Sequence, residues 1–362
     1  MLVRASSWQG RKVLVTGHTG FKGGWLSLWL HQLGAEVSGF SLPAPTDPSF
    51  FEQTRLAEIV RHVEGDVRDL AAVEAVMRET QPDVVFHLAA QPLVRYSYDA
   101  PVETFETNVM GTVNVLEACR KVDSVRAVVC ITTDKCYENR EWIWPYREND
   151  PMGGYDPYSA SKGAAELAIS AYRRSFFQKG ARIASVRAGN VIGGGDWALD
   201  RLIPDIIRGL LAGQPPQIRN PNSVRPWQHV LEALNGYILI AQRLLEGRDE
   251  CACAWNFGPA DDDTQPVGWI VEEMLAAWPE KISWEQPKGD HPHEAVLLKL
   301  DSSKARNELG WRPRLRLKEA LGKVIEWHAS VAAGADAREV SLRQLEEYGI
   351  SGETAMSEAF AA

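Results

Sequence analysis

No stretch of this 362-residue chain approaches the run of roughly 20 apolar residues that a membrane-spanning helix needs. The start, Met1 to Trp8, lacks the apolar core of a secretory signal. The chain is therefore expected to work in the cytoplasm, without a membrane partner. A basic stripe is also missing: the net charge is -9, which argues against a nucleic-acid partner. It leaves room for an anionic small molecule, which needs only a local cluster of arginines. Cysteine is scarce and poorly spaced. Cys119, Cys130, Cys136, Cys251 and Cys253 form neither a disulfide framework nor a four-ligand zinc pattern, and Cys251-Ala252-Cys253 is too tight for a typical redox pair. Reduced, mostly buried thiols and no metal site are expected. Internal repeats and low-complexity segments are lacking as well.

What is present is an alternation of short apolar strands and helices. Strands are expected at 12–17, 35–40, 59–64, 84–87, 127–131, 183–187 and 254–257, and helices at 25–33, 70–79, 102–120, 157–178 and 229–245. This alternation predicts an α/β fold: a doubly wound, Rossmann-type parallel sheet covered on both faces. From Gly189 the rhythm breaks. Gly193-Gly194-Gly195, Gly213 to Pro216 and Asn220 to Pro226 are turn-rich. A dinucleotide-binding domain over 1–189, rejoined by 227–258, and a smaller discontinuous α/β substrate domain over 190–226 and 259–340 are expected. The tail after Trp327 reads as helical or loosely attached.

Gly17, Gly20 and Gly23 form a GxxGxxG pattern between a strand and a helix. Such glycines permit a tight turn and a close backbone approach to a pyrophosphate, which the helix N-terminus then attracts. Thr19, Phe21 and Lys22 lie in the same loop. Asp66-Val67 follows the third strand, where a carboxylate can accept the adenine amino group or cap the next helix. Leu88-Ala89-Ala90 follows the fourth and lets the chain run flat against a cofactor. The acidic residue that usually ends strand two in NAD-binding folds is missing: the segment reads Gly39-Phe40-Ser41-Leu42. With Lys22 and His18 nearby, this leaves NAD and NADP both open at that position.

Tyr158 and Lys162 are four apart and share one helix face. A lysine cation beside a phenol lowers the tyrosine pKa toward a working range for proton transfer from an alcohol. Thr132 and Thr133 follow an apolar strand, where parallel sheets present ligands. Asp134 and Lys135 come next and add an acid and a base that simple alcohol oxidation does not need. A solvated ion pair at a loop start is the plain alternative.

Together, Thr16-Gly17-His18-Thr19-Gly20-Phe21-Lys22-Gly23, Leu88-Ala89-Ala90, Thr132-Thr133 and Tyr158-Ser159-Ala160-Ser161-Lys162 resemble the nucleotide-sugar branch of the extended short-chain dehydrogenase/reductase family, over about residues 10–330. Asp134-Lys135, where dTDP-type sugar 4,6-dehydratases carry Asp-Glu, is similar to the CDP-linked type. So are Gln91 to Arg95, Arg187 to Trp197, Arg225 to Val230 and Gly289 to Ala295. The resemblance implies NAD as a cofactor regenerated in each turnover and CDP-D-glucose as substrate. It also implies a homodimer, or possibly a tetramer, through helices 102–120 and 157–178. By the same resemblance Thr133, Asp134, Lys135, Tyr158 and Lys162 are catalytic, Thr132 lies by the cofactor, and Asn190, Arg201, Leu202, Pro204, Arg219 and Arg225 hold the sugar nucleotide. The alternatives are a 4-epimerase or reductase, which needs no acid–base pair at 134–135, and an idle dinucleotide-binding regulator.

Overall fold

The computed structural model describes residues 3–260, 263–287 and 297–349, so the expected motif Gly289 to Ala295 lies outside the described residues. Nine strands are described: β1 Lys12–Thr16, β2 Glu36–Ser41, β3 Arg61–Glu64, β4 Val84–His87, β5 Ala127–Ile131, β6 Arg182–Ala188, β7 Asn190–Ile192, β8 Trp227–His229 and β9 Ala254–Phe257. Seven of them form one parallel sheet in the order β3-β2-β1-β4-β5-β6-β9. β7 and β8 make a separate parallel pair.

The strands are apolar because both faces are covered. In β1, Val13 and Val15 point to one face and Leu14 to the other, as a period of two requires. The first face packs under the helices Phe21–Gln32 and Val230–Leu245, with Trp25, Leu234 and Ile238 fully buried. The second packs under Leu70–Thr80, Gly111–Arg120 and Pro157–Phe176, through Val73, Leu116 and Ile169. A third core joins β7 and β8 to the helices Leu202–Leu211, Val267–Ala277 and Leu317–Ala332.

Three expectations about elements change. The helix after β1 begins at Phe21, one turn before 25, directly at the glycine loop. The helix expected at 102–120 is broken: Pro101–Phe105 and Gly111–Arg120 flank a π turn at Glu106–Met110. There Asn108 turns its amide to the backbone of Gln91, giving to its O and taking from its N. Such a widened turn aims a side chain that a regular helix would not. The third concerns the tail, expected as helical or loosely attached: its described residues, to Gly349, are helical and anchored. Trp327 is fully buried, and helix Ala337–Tyr348 docks on helix Val230–Leu245 through a hydrogen bond of 2.7 Å from the Tyr348 hydroxyl to Glu232. Glu232 also takes the backbone N–H groups of Arg314 and Leu315.

The docking of this tail is testable. Tyr348→Phe removes a buried donor to Glu232 and should cost roughly 1.5–3 kcal/mol of unfolding free energy in urea melts. An unchanged midpoint would mean that this hydrogen bond contributes nothing to the docking.

Candidate active site

The site lies over the carboxyl ends of β1, β4, β5 and β6. Gly17 ends β1 with φ +78°, a left-handed conformation that suits glycine, and a Cβ there would lie 2.7 Å from the Ala89 nitrogen. A Cβ on Gly23 would fall 2.1 Å from the Gly17 carbonyl. The loop is therefore drawn down onto the segment after β4, where Leu88 N–H donates to Thr16 O and Ala89 N–H to Thr16 Oγ1. Leu88, Ala89 and Ala90 are each half-buried along this edge.

At the end of β2, hydroxyls take the place of the expected carboxylate. Thr19 Oγ1 donates to Leu42 O at 2.9 Å and lies 2.8 Å from Ser41 Oγ, so the glycine loop is tied to the strand end. His18 cannot offer a cation to a 2′-phosphate. It is buried against Phe51, its Nε2 sits 2.7 Å from His62 Nδ1, and burial first, then the His62 charge, pushes its pKa down to about 3. Asp66 is drawn to Arg68, whose N–H and guanidinium bond both of its oxygens. Burial opposes ionisation there, but those bonds win and hold the carboxyl below its ordinary value. The cap of helix Leu70–Thr80 is Asp69, not Asp66. Val67 is buried in the second core.

Lys22 sits in the first turn of its helix and faces the other end of the site. Burial lowers its pKa to about 8, Arg201 and Lys162 push the same way, and Asp134 and Asp196 pull against them. Arg201 caps the helix Leu202–Leu211 and reaches Asp196 at 3.4 Å. Lys22, Lys162 and Arg201 thus crowd together, an arrangement suited to phosphate groups. The glycine cradle and these cations fit a dinucleotide.

Thr133 caps the short 3-10 turn Asp134–Cys136 that leaves β5. Its hydroxyl donates to Asp134 Oδ1 at 3.0 Å, accepts from Lys135 N–H at 3.3 Å and reaches the Tyr158 phenol. Asp134 is 1% exposed, while Lys135 is half-buried. Among the described residues the second Asp134 oxygen has no hydrogen-bond partner, and it lies under Gly189, where a Cβ would come within 3.2 Å of it. Burial raises the Asp134 pKa, against the pull of Lys135, Thr133 and Arg225.

Tyr158 and Lys162 project from the first turns of helix Pro157–Phe176, which Asp156 caps by accepting from Ser159 N–H. Both are nearly inaccessible, at 8% and 7% exposure. Burial pushes Tyr158 up to about 12, although Thr133 and Arg201 pull it down, and lowers Lys162 to about 8. The expected lowering of the phenol by its lysine is not found: Thr133 and Arg201 are the groups that pull it down, and desolvation outweighs both. Thr132 turns its hydroxyl away, toward Glu166.

The substrate residues separate. Asn190 opens β7 and donates its N–H to Pro226 O. The charge of Arg225 acts on Asp134, and its guanidinium also donates to Val224 O. Leu202 and Pro204 lie in the first turn after Arg201, and Pro204 is buried by packing. Arg219 is half-buried near Gln286, which donates to its carbonyl. No described contact joins Arg219 to the Tyr158 group. Glu166, which no motif singled out, and Arg187, which opens the Arg187 to Trp197 stretch, form a buried ion pair beneath the site. The repeat of four that links Tyr158 to Lys162 also reaches Glu166, so the signal was present in the spacing.

Among the described residues, no cluster suited to a metal ion and no helix long and apolar enough to cross a membrane occurs. The CDP-glucose 4,6-dehydratase of Salmonella typhimurium is 54% identical, over 96% of this chain and 98% of its own length. A dTDP-glucose 4,6-dehydratase from Streptomyces antibioticus is 28% identical over 87% of this chain and 92% of its own. Among solved structures, a Thermus thermophilus UDP-glucose 4-epimerase complex with NAD aligns with a TM-score of 0.76 and 26% identity, covering 89% of this chain and 99% of that one. The family profile of GDP-mannose 4,6 dehydratase matches residues 14–324, and the chain belongs to that family.

Proposed function

We propose that the protein is a hydro-lyase that converts CDP-D-glucose to CDP-4-keto-6-deoxy-D-glucose and water. The observation that carries this reading is the buried carboxyl of Asp134, joined through the Thr133 hydroxyl to Tyr158 and followed at once by the more accessible Lys135. The high identity to the Salmonella enzyme supports the CDP-linked substrate. Bound NAD would take a hydride from C4 and return it to C6; NAD is favoured over NADP because the Thr19–Ser41 hydroxyls and neutral His18 give a 2′-phosphate no cation.

In this reading Gly17, Gly20, Gly23 and Lys22 face the cofactor phosphates, and Leu88 to Ala90 and Asp66 line its path. Tyr158, as the phenolate that the Lys162 cation stabilises, takes the proton of the C4 hydroxyl. Thr133 has one hydroxyl proton to give. Donated to a phenolate or to the sugar oxygen, it is withdrawn from Asp134, which couples the two groups. Once C4 is a ketone, the C5 hydrogen is acidic. Lys135 removes it and gives it back to C5 when the hydride reaches C6, and Asp134, held toward its neutral form by burial, protonates the departing C6 hydroxyl. Asn190, Arg201 and Arg225 hold the sugar diphosphate by charge-assisted hydrogen bonds. We also infer that the seven-stranded body carries the cofactor and that residues 190–226 and 259–340 form the substrate domain. The exposed Val102, Phe105 and Met110, with Leu167 and Phe176 on the long helix, support pairing of two copies across these helices.

Incubation with CDP-, dTDP-, GDP- and UDP-linked hexoses plus NAD should show loss of water from CDP-D-glucose by mass spectrometry. Loss from dTDP-glucose alone would overturn the nucleotide assignment, and an epimer or reduced sugar without water loss would sink the dehydratase. Lys135→Ala should oxidise C4 and stall, so that NADH absorbance accumulates while product formation falls about 10²–10⁴-fold. Undiminished product formation would remove Lys135 from the role of base.

Asp134→Asn separates chemistry from stability. The folded protein disfavours the ionised carboxyl, so the penalty is present above the raised folded pKa and absent below the ordinary value of 3.8. The variant should therefore lose activity yet unfold at higher temperature than the parent near neutral pH, and this gain should vanish as the pH falls below that ordinary value. A lower melting temperature at neutral pH would contradict the buried, strained carboxyl.

A further inference from the structure

Glu166 lies one helical repeat beyond Lys162, so Tyr158, Lys162 and Glu166 succeed one another at intervals of four along the same helix. Its carboxylate is fully engaged. Arg187 Nε donates to Oε1 at 2.9 Å and its terminal nitrogen to Oε2 at 2.8 Å; Ser185 Oγ donates to Oε2 at 2.8 Å, and Thr132 Oγ1 donates to Oε1. Both side chains of the ion pair are 4% exposed. Arg187 has a second engagement: it donates to the Tyr137 hydroxyl at 2.7 Å and to Glu148 O at 3.0 Å, and its guanidinium lies 5.0 Å above the Tyr137 ring.

Thr132 and Tyr137 are the residues that flank the Thr133–Cys136 segment. The ion pair thus grips both ends of the turn that carries Thr133, Asp134 and Lys135, and it fixes that turn to the helix that carries Tyr158 and Lys162. We propose that Glu166 is a positioning residue for the dehydration: its carboxylate, closed by Arg187, sets the register between the two catalytic segments and supplies the counter-charge beneath Lys162. This rests on the dehydratase reading above.

The groups around Lys162 support the electrostatic half. Cys130 on β5 and Cys136 in the turn are thiols kept neutral by burial. His87 on β4 is a neutral imidazole, pushed down to about 3 by burial and then by Lys162, and Lys22 from the first helix is a second cation. Tyr158, on the same helix, is a phenol that burial holds neutral in the substrate-free protein. The charge of the Glu166 carboxylate raises the Lys162 pKa against the larger effect of burial. A purely structural salt bridge would not need this alignment. A buried pair of this kind is weak evidence for stability, since its desolvation offsets much of its attraction.

The test uses Glu166→Gln, the double variant Glu166→Gln/Arg187→Gln, and Thr132→Val. The double variant leaves no unpaired buried charge and should fold even where the single one fails. Two readouts are needed: kcat and KM for CDP-D-glucose against pH, and the Lys162 titration in substrate-free protein, from NMR of lysine-labelled samples assigned with Lys162→Met. Removal of the carboxylate should lower kcat by roughly tenfold or more with little change in KM. It should also move the Lys162 titration from about 8 to roughly pH 7 or below. Thr132→Val, which keeps the charge, should lower kcat without moving the titration. A folded Glu166 variant with parental kcat and an unmoved titration would overturn the proposal. If the parent dehydrates no sugar nucleotide, the dehydratase reading fails, while the titration still decides whether Glu166 governs Lys162.

Discussion

Exclusion of water at the carboxyl ends of β4, β5 and β6 is the constraint on which the site depends. Asp134, Tyr158 and Lys162 are each displaced toward the neutral form. Asp134 and Tyr158 are raised and Lys162 is lowered, with burial the largest cause in each case. Charges placed in such surroundings are strong in their effects on one another, and each is unfavourable unless matched. The fold meets this in two ways. Beneath the site it matches a charge completely, in Glu166 with Arg187. Within the site it leaves one carboxyl oxygen of Asp134 without a partner. That contrast separates a scaffold from a reacting group.

The strands were the most legible part of the chain, because a sheet covered on both faces needs continuous apolar runs. β4, β5 and β9 follow the hydrophobic runs to the residue. The failures have local causes. The π turn at Glu106–Met110 leaves helical composition unchanged, so periodicity reads through it; the cause is the tertiary bond from Asn108 to Gln91. Helix Ala337–Tyr348 is dominated by charged and polar side chains and reads equally as helical or loosely attached, because its anchoring partner, Glu232, lies more than 100 residues away. The short strands β7 and β8 give too few residues for any period to register.

In the site, motif spacing identified groups but not their surroundings. Tyr158 and Lys162 were visible as a pair four apart, yet the sign of the tyrosine shift depended on burial, which spacing does not carry. His18 reads as a cation in a loop and is a neutral, buried ring against His62. Asp66 was balanced between capping a helix and meeting a ligand, and Asp69 takes the cap. Glu166 is the instructive omission. Its place in the repeat of four was on view, but its meaning came only with Arg187, Ser185 and Thr132, which arrive from β6 and the end of β5.

The difficulty posed by neighbouring acid and base at 134–135 has a geometric answer. An isolated Asp–Lys pair would stabilise both charged forms and suit neither proposed role. The 3-10 turn sends the Asp134 side chain inward under Gly189, where a side chain at that position would crowd its unbonded oxygen, and leaves Lys135 in a more accessible setting. Burial then outweighs the field of Lys135 on Asp134. One link in the chain thus divides two environments, so adjacency in sequence does not impose a shared protonation state. Thr133 connects the dry carboxyl to Tyr158 through a single hydroxyl that cannot donate to both at once. Whichever oxygen holds that proton determines how readily Asp134 gives up its own, and in the proposed mechanism this ties the acid to the progress of the oxidation at C4.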